Sequence, residues 1–251
     1  VRTAYLRTVL FDLDGTLIDS AELILDSYRH TMRVHLGRVL PDSDWLRTMG
    51  QPLEAQLLDF ARSPEEAGAM LATYVERNAA MHERLLRPFP GVREYVEALL
   101  VRGFRLGIVT SKRRAATLRG LETCGFALDW FAAVVTASDV DRFKPDPEPV
   151  RRALDVAGEE EAARALFVGD SVHDLRAGRA AGTRTAAALW GPYSREDLSP
   201  ADPDHWLDAP EELDSVLEAR SEPRSGSDTG PRGDREAESG RSREREAGES
   251  S

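Results

Sequence analysis

Lysine is almost missing from this chain. Of 33 basic residues only Lys112 and Lys144 are lysines; every other one is arginine. Arginine is thus the habitual surface cation, and the two exceptions stand out. A lysine offers a compact point charge that a guanidinium does not. Cysteine occurs once, as Cys124, which excludes an intramolecular disulfide. No apolar run approaches the ~20 residues needed to span a bilayer. The opening Val1-Arg2-Thr3-Ala4-Tyr5 lacks a signal-type apolar region. Positive charge is short overall: the formal net charge is −11, which would repel a nucleic-acid backbone. The expectation is a soluble, cytoplasmic protein, monomeric or a weak homodimer, with neither membrane nor nucleic acid as partner.

What is present suffices for one sizeable core and a small second domain: 251 residues, 41% of them hydrophobic. Short apolar runs read as strands at Thr8–Phe11, Phe104–Thr110, Ala133–Thr136, Ala165–Val168, Thr183–Leu189 and His205–Leu207. Helical patterns fall between them, at Val92–Arg102, Ser111–Cys124, Pro147–Ala157 and Val172–Ala181, with a last one at Pro210–Ala219. Strands alternating with helices predict an α/β fold with a doubly wound parallel sheet. Residues 20–86 interrupt that alternation and read as all-helical. Ala21–Leu36 places Leu23, Ser27, His30 and Val34 on one side, with Asp19 or Ser20 as its cap. Pro41-Asp42-Ser43-Asp44 reads as a turn and cap before Trp45–Met49. Leu53–Ala61 is a short helix, and Ser63-Pro64-Glu65-Glu66 opens a longer one to about Leu86. The expected organisation is a core of residues 1–19 and 87–220, a helical cap of 20–86, and a disordered tail of 221–251. The tail holds eight acids, six arginines and, as apolar residues, two alanines, too little to bury.

Polar clusters follow the strands, and in such sheets ligands bind beyond the strands' carboxyl ends. After the first strand comes Asp12-Leu13-Asp14-Gly15-Thr16-Leu17-Ile18-Asp19-Ser20. While the backbone stays extended, Asp12 and Asp14 point to one face and Leu13 into the protein. Two carboxylates so placed repel each other unless a cation or a proton relieves them. An ordinary Asp-Gly turn is the bland alternative. Thr110-Ser111-Lys112 follows the second strand at an expected helix start, where free N–H groups suit a phosphate. Phe143-Lys144-Pro145-Asp146-Pro147 sets one of the two lysines between stiffening prolines, and Gly169-Asp170-Ser171-Val172-His173-Asp174 follows the fourth strand. His173 is off the face shared by Asp170 and Asp174 and reads as a surface or lining residue.

Together these four segments resemble, in order, the four motifs of the haloacid dehalogenase superfamily of phosphatases. The resemblance covers about Val9 to Leu217. It implies that Asp12 attacks phosphorus, that Asp14 shuttles a proton, and that Thr110 holds the transferring phosphoryl. Lys144 would neutralise nucleophile and phosphate together. Mg²⁺ would be held by Asp12 and Asp170, with Asp174 acting directly or through water and Asp14 offering mainly its backbone carbonyl. Thr16, Ser111, Lys112 and, from the cap loop Met49-Gly50-Gln51-Pro52, Gln51 are the expected substrate contacts. An acid at position 14 separates phosphatases from the dehalogenases of the superfamily. The helical insertion, Val134–Asp141, Lys144–Val150 and Gly107–Lys112 resemble the phosphoglycolate phosphatase and pyrophosphatase subgroup. The expected substrate is a small-molecule phosphate, a phosphoglycolate-like monoester or pyrophosphate. A phosphomutase of the β-phosphoglucomutase kind would keep the same four site residues. A serine esterase built on Gly169-Asp170-Ser171 and Asp202-Pro203-Asp204-His205 leaves too little chain between the pair. A non-catalytic binding protein would be expected to lose one of Asp12, Asp14, Lys144 or Asp170.

Overall fold

The computed structural model describes residues 5–48 and 51–218. The chain opens with β1 (Thr8–Phe11), fully buried, then β2 (Ile18–Asp19). Four helices follow: α1 (Ala21–Leu36), α2 (Asp42–Leu46), α3 (Leu53–Leu58) and α4 (Pro64–Leu85). After β3 (Arg87–Pro88) come α5 (Val92–Val101), β4 (Arg105–Val109), α6 (Arg114–Thr123), β5 (Ala133–Val135) and α7 (Glu148–Ala157). The chain continues through β6 (Ala165–Gly169), α8 (Val172–Ala181), β7 (Arg184–Ala188), α9 (Arg195–Leu198), β8 (His205–Leu207) and α10 (Leu213–Glu218). Six strands form one parallel sheet in the order β5-β4-β1-β6-β7-β8. The α/β, doubly wound expectation is met. The predicted tail, 221–251, lies outside the described residues.

The period-two alternation of β1 explains why helices cover both faces. Val9 and Phe11 pack with Tyr95, Val96 and Leu99 of α5 and Leu121 of α6. Leu10 points the other way, to Val150, Ala153 and Leu154 of α7 and Ala177 of α8. A strand buried on both faces needs a continuous apolar run, which Val9-Leu10-Phe11 supplies.

The helical insertion has its own core: Ile24, Tyr28, Met32, Trp45, Leu57, Met70 and Tyr74. Its rings interlock, with Tyr28 4.8 Å from Trp45 and Trp45 stacked on Tyr74 at 5.6 Å. This corrects the predicted face of α1. Leu23 and Ser27 are buried, but Val34 is exposed, and Ile24, Tyr28 and Met32 complete the inward face. Ser20 occupies the cap position of α1, yet its side chain makes no capping bond; its ψ of 0° departs from the extended geometry a cap requires. Ser63, with φ −154° and ψ 162°, does cap α4 by accepting from Glu66 N–H. α2 starts at Asp42, so the predicted turn residues are already helical, and α3 ends at Leu58, short of Ala61.

The two short strands were not expected. β2 and β3 pair antiparallel, Ile18 with Pro88 and Asp19 with Arg87, where the chain leaves and re-enters the α/β core. Two residues each are too few to show a period.

Candidate active site

Every strand that delivers a predicted site residue ends at the same edge of the sheet. β1 delivers Asp12, β4 delivers Thr110, and β6 delivers Asp170. Lys144 arrives on the loop after β5, next to a cis peptide bond to Pro145. The residue is 3% exposed, and its ammonium sits between two carboxylates, 2.7 Å from Asp12 Oδ1 and 2.5 Å from Asp174 Oδ1. It also donates to the Val109 carbonyl at 3.2 Å. Burial opposes that charge, but Asp12 and Asp174 outweigh it and hold the ammonium above the usual lysine range.

Asp12, Asp170 and Asp174 converge: one oxygen from each lies within 4.8 Å of the others, and all three residues are buried. Burial first, and the Asp174 charge second, push the Asp12 carboxyl up to about 7. The same two causes raise Asp170 well above the ordinary carboxylate range. Three buried acids against one lysine are a strained electrostatic arrangement that a divalent cation would relieve. The donors are hard oxygens, the set Mg²⁺ takes together with water and phosphate oxygens. Small neighbours leave room for the Asp170 carboxylate. A Cβ on Gly15, whose φ is +85°, would run into it, and one on Gly191 would meet its Cβ at 2.6 Å. Asp174 is already occupied on both oxygens: Oδ1 accepts from Lys144, and Oδ2 from the Ser171 N–H and hydroxyl. Ser171 returns the bond by capping α8.

Asp14 stands apart from that cluster. Its Oδ1 accepts from Lys112 Nζ at 2.7 Å, both side chains being mostly buried. The two lysines of the chain therefore each hold one carboxylate of the Asp12-Leu13-Asp14 segment. Thr110, Ser111 and Lys112 do not begin a helix as expected; α6 starts at Arg114. Thr110 Oγ1 accepts from the Lys112 N–H at 3.1 Å, a local turn that competes with helical bonding. The Ser111 hydroxyl is buried without a partner.

These groups open into a cavity of about 370 Å³ between the sheet edge and the insertion. Asp12, Asp14, Thr110, Ser111, Lys112, Lys144 and Asp170 line it. So does Gln51; Met49 and Gly50 of the predicted cap loop lie outside the described residues. Thr16 is not on the wall. It is fully buried, and its hydroxyl donates to Asp170 Oδ1 at 3.2 Å, so it supports the acid instead of facing substrate. His173 is outside the converging acids. The Ser171 hydroxyl, engaged by Asp174, has no histidine partner, which argues against a serine-esterase arrangement.

One contributing segment escaped the sequence reading. Trp190, Gly191 and Tyr193 follow β7 at the same edge. Trp190 Nε1 donates to the Thr16 carbonyl at 2.9 Å. Tyr193 lines the cavity, and its hydroxyl donates to the Leu46 carbonyl at 2.5 Å, tying core to insertion. An Arg113–Glu54 ion pair makes a second tie. Trp-Gly-Pro-Tyr directly after a strand was the available signal.

Comparison with known proteins agrees with this geometry. Residues 9–188 match the haloacid dehalogenase-like hydrolase family. A protein named pyrophosphatase PpaX from Halalkalibacterium halodurans is 37% identical over 213 residues, covering 84% of this chain and 97% of the relative. The PpaX of Anoxybacillus flavithermus is 38% identical with the same coverage. A crystal structure of a candidate phosphoglycolate phosphatase from Lactobacillus plantarum superposes with a TM-score of 0.74 at 27% identity, covering 84% of this chain and 99% of that one. With the motif-bearing edge, the sheet order and these matches in agreement, the chain belongs to the haloacid dehalogenase-like hydrolases.

Proposed function

We propose that this hydrolase cleaves a small phosphate compound, a phosphoglycolate-like monoester or pyrophosphate, with Mg²⁺ and through an aspartyl-phosphate on Asp12. One observation carries the reading: a buried lysine clamped between Asp12 and Asp174, beside Asp170, at the mouth of a cavity. Asp12 and Asp170, with the Asp14 carbonyl, would hold Mg²⁺, which would supply positive charge that lets a phosphate dianion approach a carboxylate.

Asp12 is the nucleophile: it lines the cavity, and Lys144 fixes one of its oxygens. Lys144 holds Asp12 in register and neutralises charge as the phosphoryl moves. Asp174 orients the lysine and stays out of bond making. Thr110 and the unpartnered Ser111 hydroxyl hold phosphoryl oxygens. Asp14 gives its proton to the leaving oxygen in the first step, then takes one from the water that attacks the acyl phosphate. Lys112 holds Asp14 until substrate arrives. The insertion, residues 20–86, acts as a cap that shields the acyl phosphate from bulk water.

Purified full-length protein should release orthophosphate from phosphoglycolate or pyrophosphate with Mg²⁺ and lose that activity on chelation. Full activity after exhaustive chelation contradicts the reading. Transfer of the phosphoryl to a second hydroxyl of a sugar phosphate, in place of water, would redirect it to a mutase.

A further inference from the structure

The cavity has two chemically different walls. The wall from the sheet edge carries every charged group that lines it, namely Asp12, Asp14, Lys112, Arg113, Arg119, Lys144 and Asp170. Among the described residues, the wall from the insertion carries none. Its surface is built from Ile24, Trp45, Leu53, Tyr74, Val75 and Ala79, with uncharged Gln51, Gln56 and Asn78 and a histidine, His82, between them. Burial holds His82 below the usual histidine range, so this side offers no cation near neutral pH. The apolar wall is rigid, because Trp45 is stacked on Tyr74 and on Phe60, 5.9 Å away. It also belongs to a covered site: Tyr193 and the Arg113–Glu54 pair fasten insertion to core.

A pyrophosphate presents only anionic and polar oxygens. Its second phosphoryl, beside Asp14, would have Lys112 as its counter-charge but would leave this apolar wall unfilled. Of the cations on the opposite wall, Arg113 is paired with Glu54 and Lys144 with Asp12 and Asp174, while Lys112 leaves Asp14 once substrate is bound. Arg119 is exposed, with its charge in water at the rim. An organic leaving group has the opposite match, apolar surface against apolar surface.

Resting on the phosphatase reading above, we propose that the preferred substrate is a phosphate monoester whose leaving group carries an apolar, ring-sized body, and that pyrophosphate is a poorer substrate. The phosphoryl lies among Asp12, Thr110, Ser111 and Lys144. The leaving oxygen faces Asp14, and the organic body fills the space under Trp45, Tyr74 and Val75.

Three substrates decide it: 2-phenylethyl phosphate, ethyl phosphate and pyrophosphate, with the full chain and Mg²⁺. The two esters both leave as primary alcohols, so their chemical steps are matched and only the apolar body differs. The expected kcat/KM for 2-phenylethyl phosphate exceeds that for ethyl phosphate at least tenfold, and exceeds that for pyrophosphate. Val75 is half-exposed on α4 and tolerates substitution, so Val75→Asp should fold and should collapse the ratio of the two esters toward one. Equal rates for the esters, a preference for pyrophosphate, or an unchanged ratio in Val75→Asp overturns the substrate class and leaves the phosphatase reading standing. Failure to hydrolyse any of the three or phosphoglycolate overturns the phosphatase reading itself.

Discussion

The sheet edge and the helical insertion face each other across one cavity and are built on opposite terms. At the edge, three carboxylates and a lysine are buried together, and burial pushes Asp12 and Asp170 toward their protonated forms. In the insertion, Tyr28, Trp45, Phe60 and Tyr74 satisfy one another by ring contact. The edge holds charge where charge is unfavourable, whereas the insertion draws its stability from the apolar surface it buries. Such strain marks a place kept for chemistry, and its absence marks a place kept for packing. Mutations in the two regions should accordingly fail in different ways.

The largest difference is expected at Asp12. Asp12→Asn should lower turnover by on the order of 10⁴-fold or more, since an amide cannot act as this nucleophile. The fold should survive, because the change removes one buried negative charge and keeps the shape. Steady-state kinetics beside a melting curve checks both halves. Tyr28→Ala should do the reverse: it removes a fully buried ring from the insertion core, with a loss of stability of about 3–5 kcal/mol. Denaturant unfolding measures it, and a loss below ~1 kcal/mol would show that the insertion core is not close-packed.

Lys144→Arg comes next. Arginine serves almost everywhere else in this chain as the cation, so a solvated lysine should tolerate the exchange. Here the ammonium fits between two carboxylate oxygens at 2.7 and 2.5 Å. A planar guanidinium is wider and wants paired oxygens in its own plane. Activity should fall at least about tenfold, roughly 1.4 kcal/mol in the barrier. Near-wild-type kcat/KM would mean that the clamp has no catalytic use. Lys112→Arg, at a mostly buried but less enclosed pair, should cost less.

The last comparison is a pH slope. Burial, and then the Asp174 charge, push the Asp12 carboxyl from an ordinary 3.8 up to about 7 in the fold. A raised acid contributes stability that is full below its unfolded value and lost as pH climbs through the folded one. Without metal, wild-type stability should therefore fall between about pH 4 and 7 relative to Asp12→Asn, which lacks this titration. Carboxylates paired with arginine, such as Asp26 and Asp42, bias the absolute curve the other way, so the difference between the two proteins is what counts. Parallel melting-temperature profiles for the two would contradict the assignment of strain to Asp12.

Much of the edge was legible in the sequence, because its parts are local strings. A buried strand followed by Asp12-Leu13-Asp14-Gly15 announces itself within ten residues, and β1, α8 and β8 begin and end where their patterns do. What local strings cannot carry is pairing at a distance. The partnership of Lys112 with Asp14 spans 98 positions and that of Lys144 with Asp12 spans 132. Each follows from strand order, which the sequence left open. The late start of α6 was hidden for another reason: Ser and Thr satisfy backbone groups locally, and the pattern alone does not say whether a turn or a helix wins. In the insertion the helices were visible but their inward faces were not. Val34 and Tyr28 are both apolar enough to be core, and the packing of four short helices decides between them.

The central claim is that Asp12 carries the phosphoryl group. The direct test is to acid-quench the enzyme during turnover of its best substrate with Mg²⁺ and to locate any added phosphoryl mass by peptide mass spectrometry. An adduct of one phosphoryl group on Asp12, removed by hydroxylamine and absent from Asp12→Asn, is the predicted result. Turnover by Asp12→Asn at the wild-type rate, or an adduct on another residue that forms and decays with turnover, would contradict it.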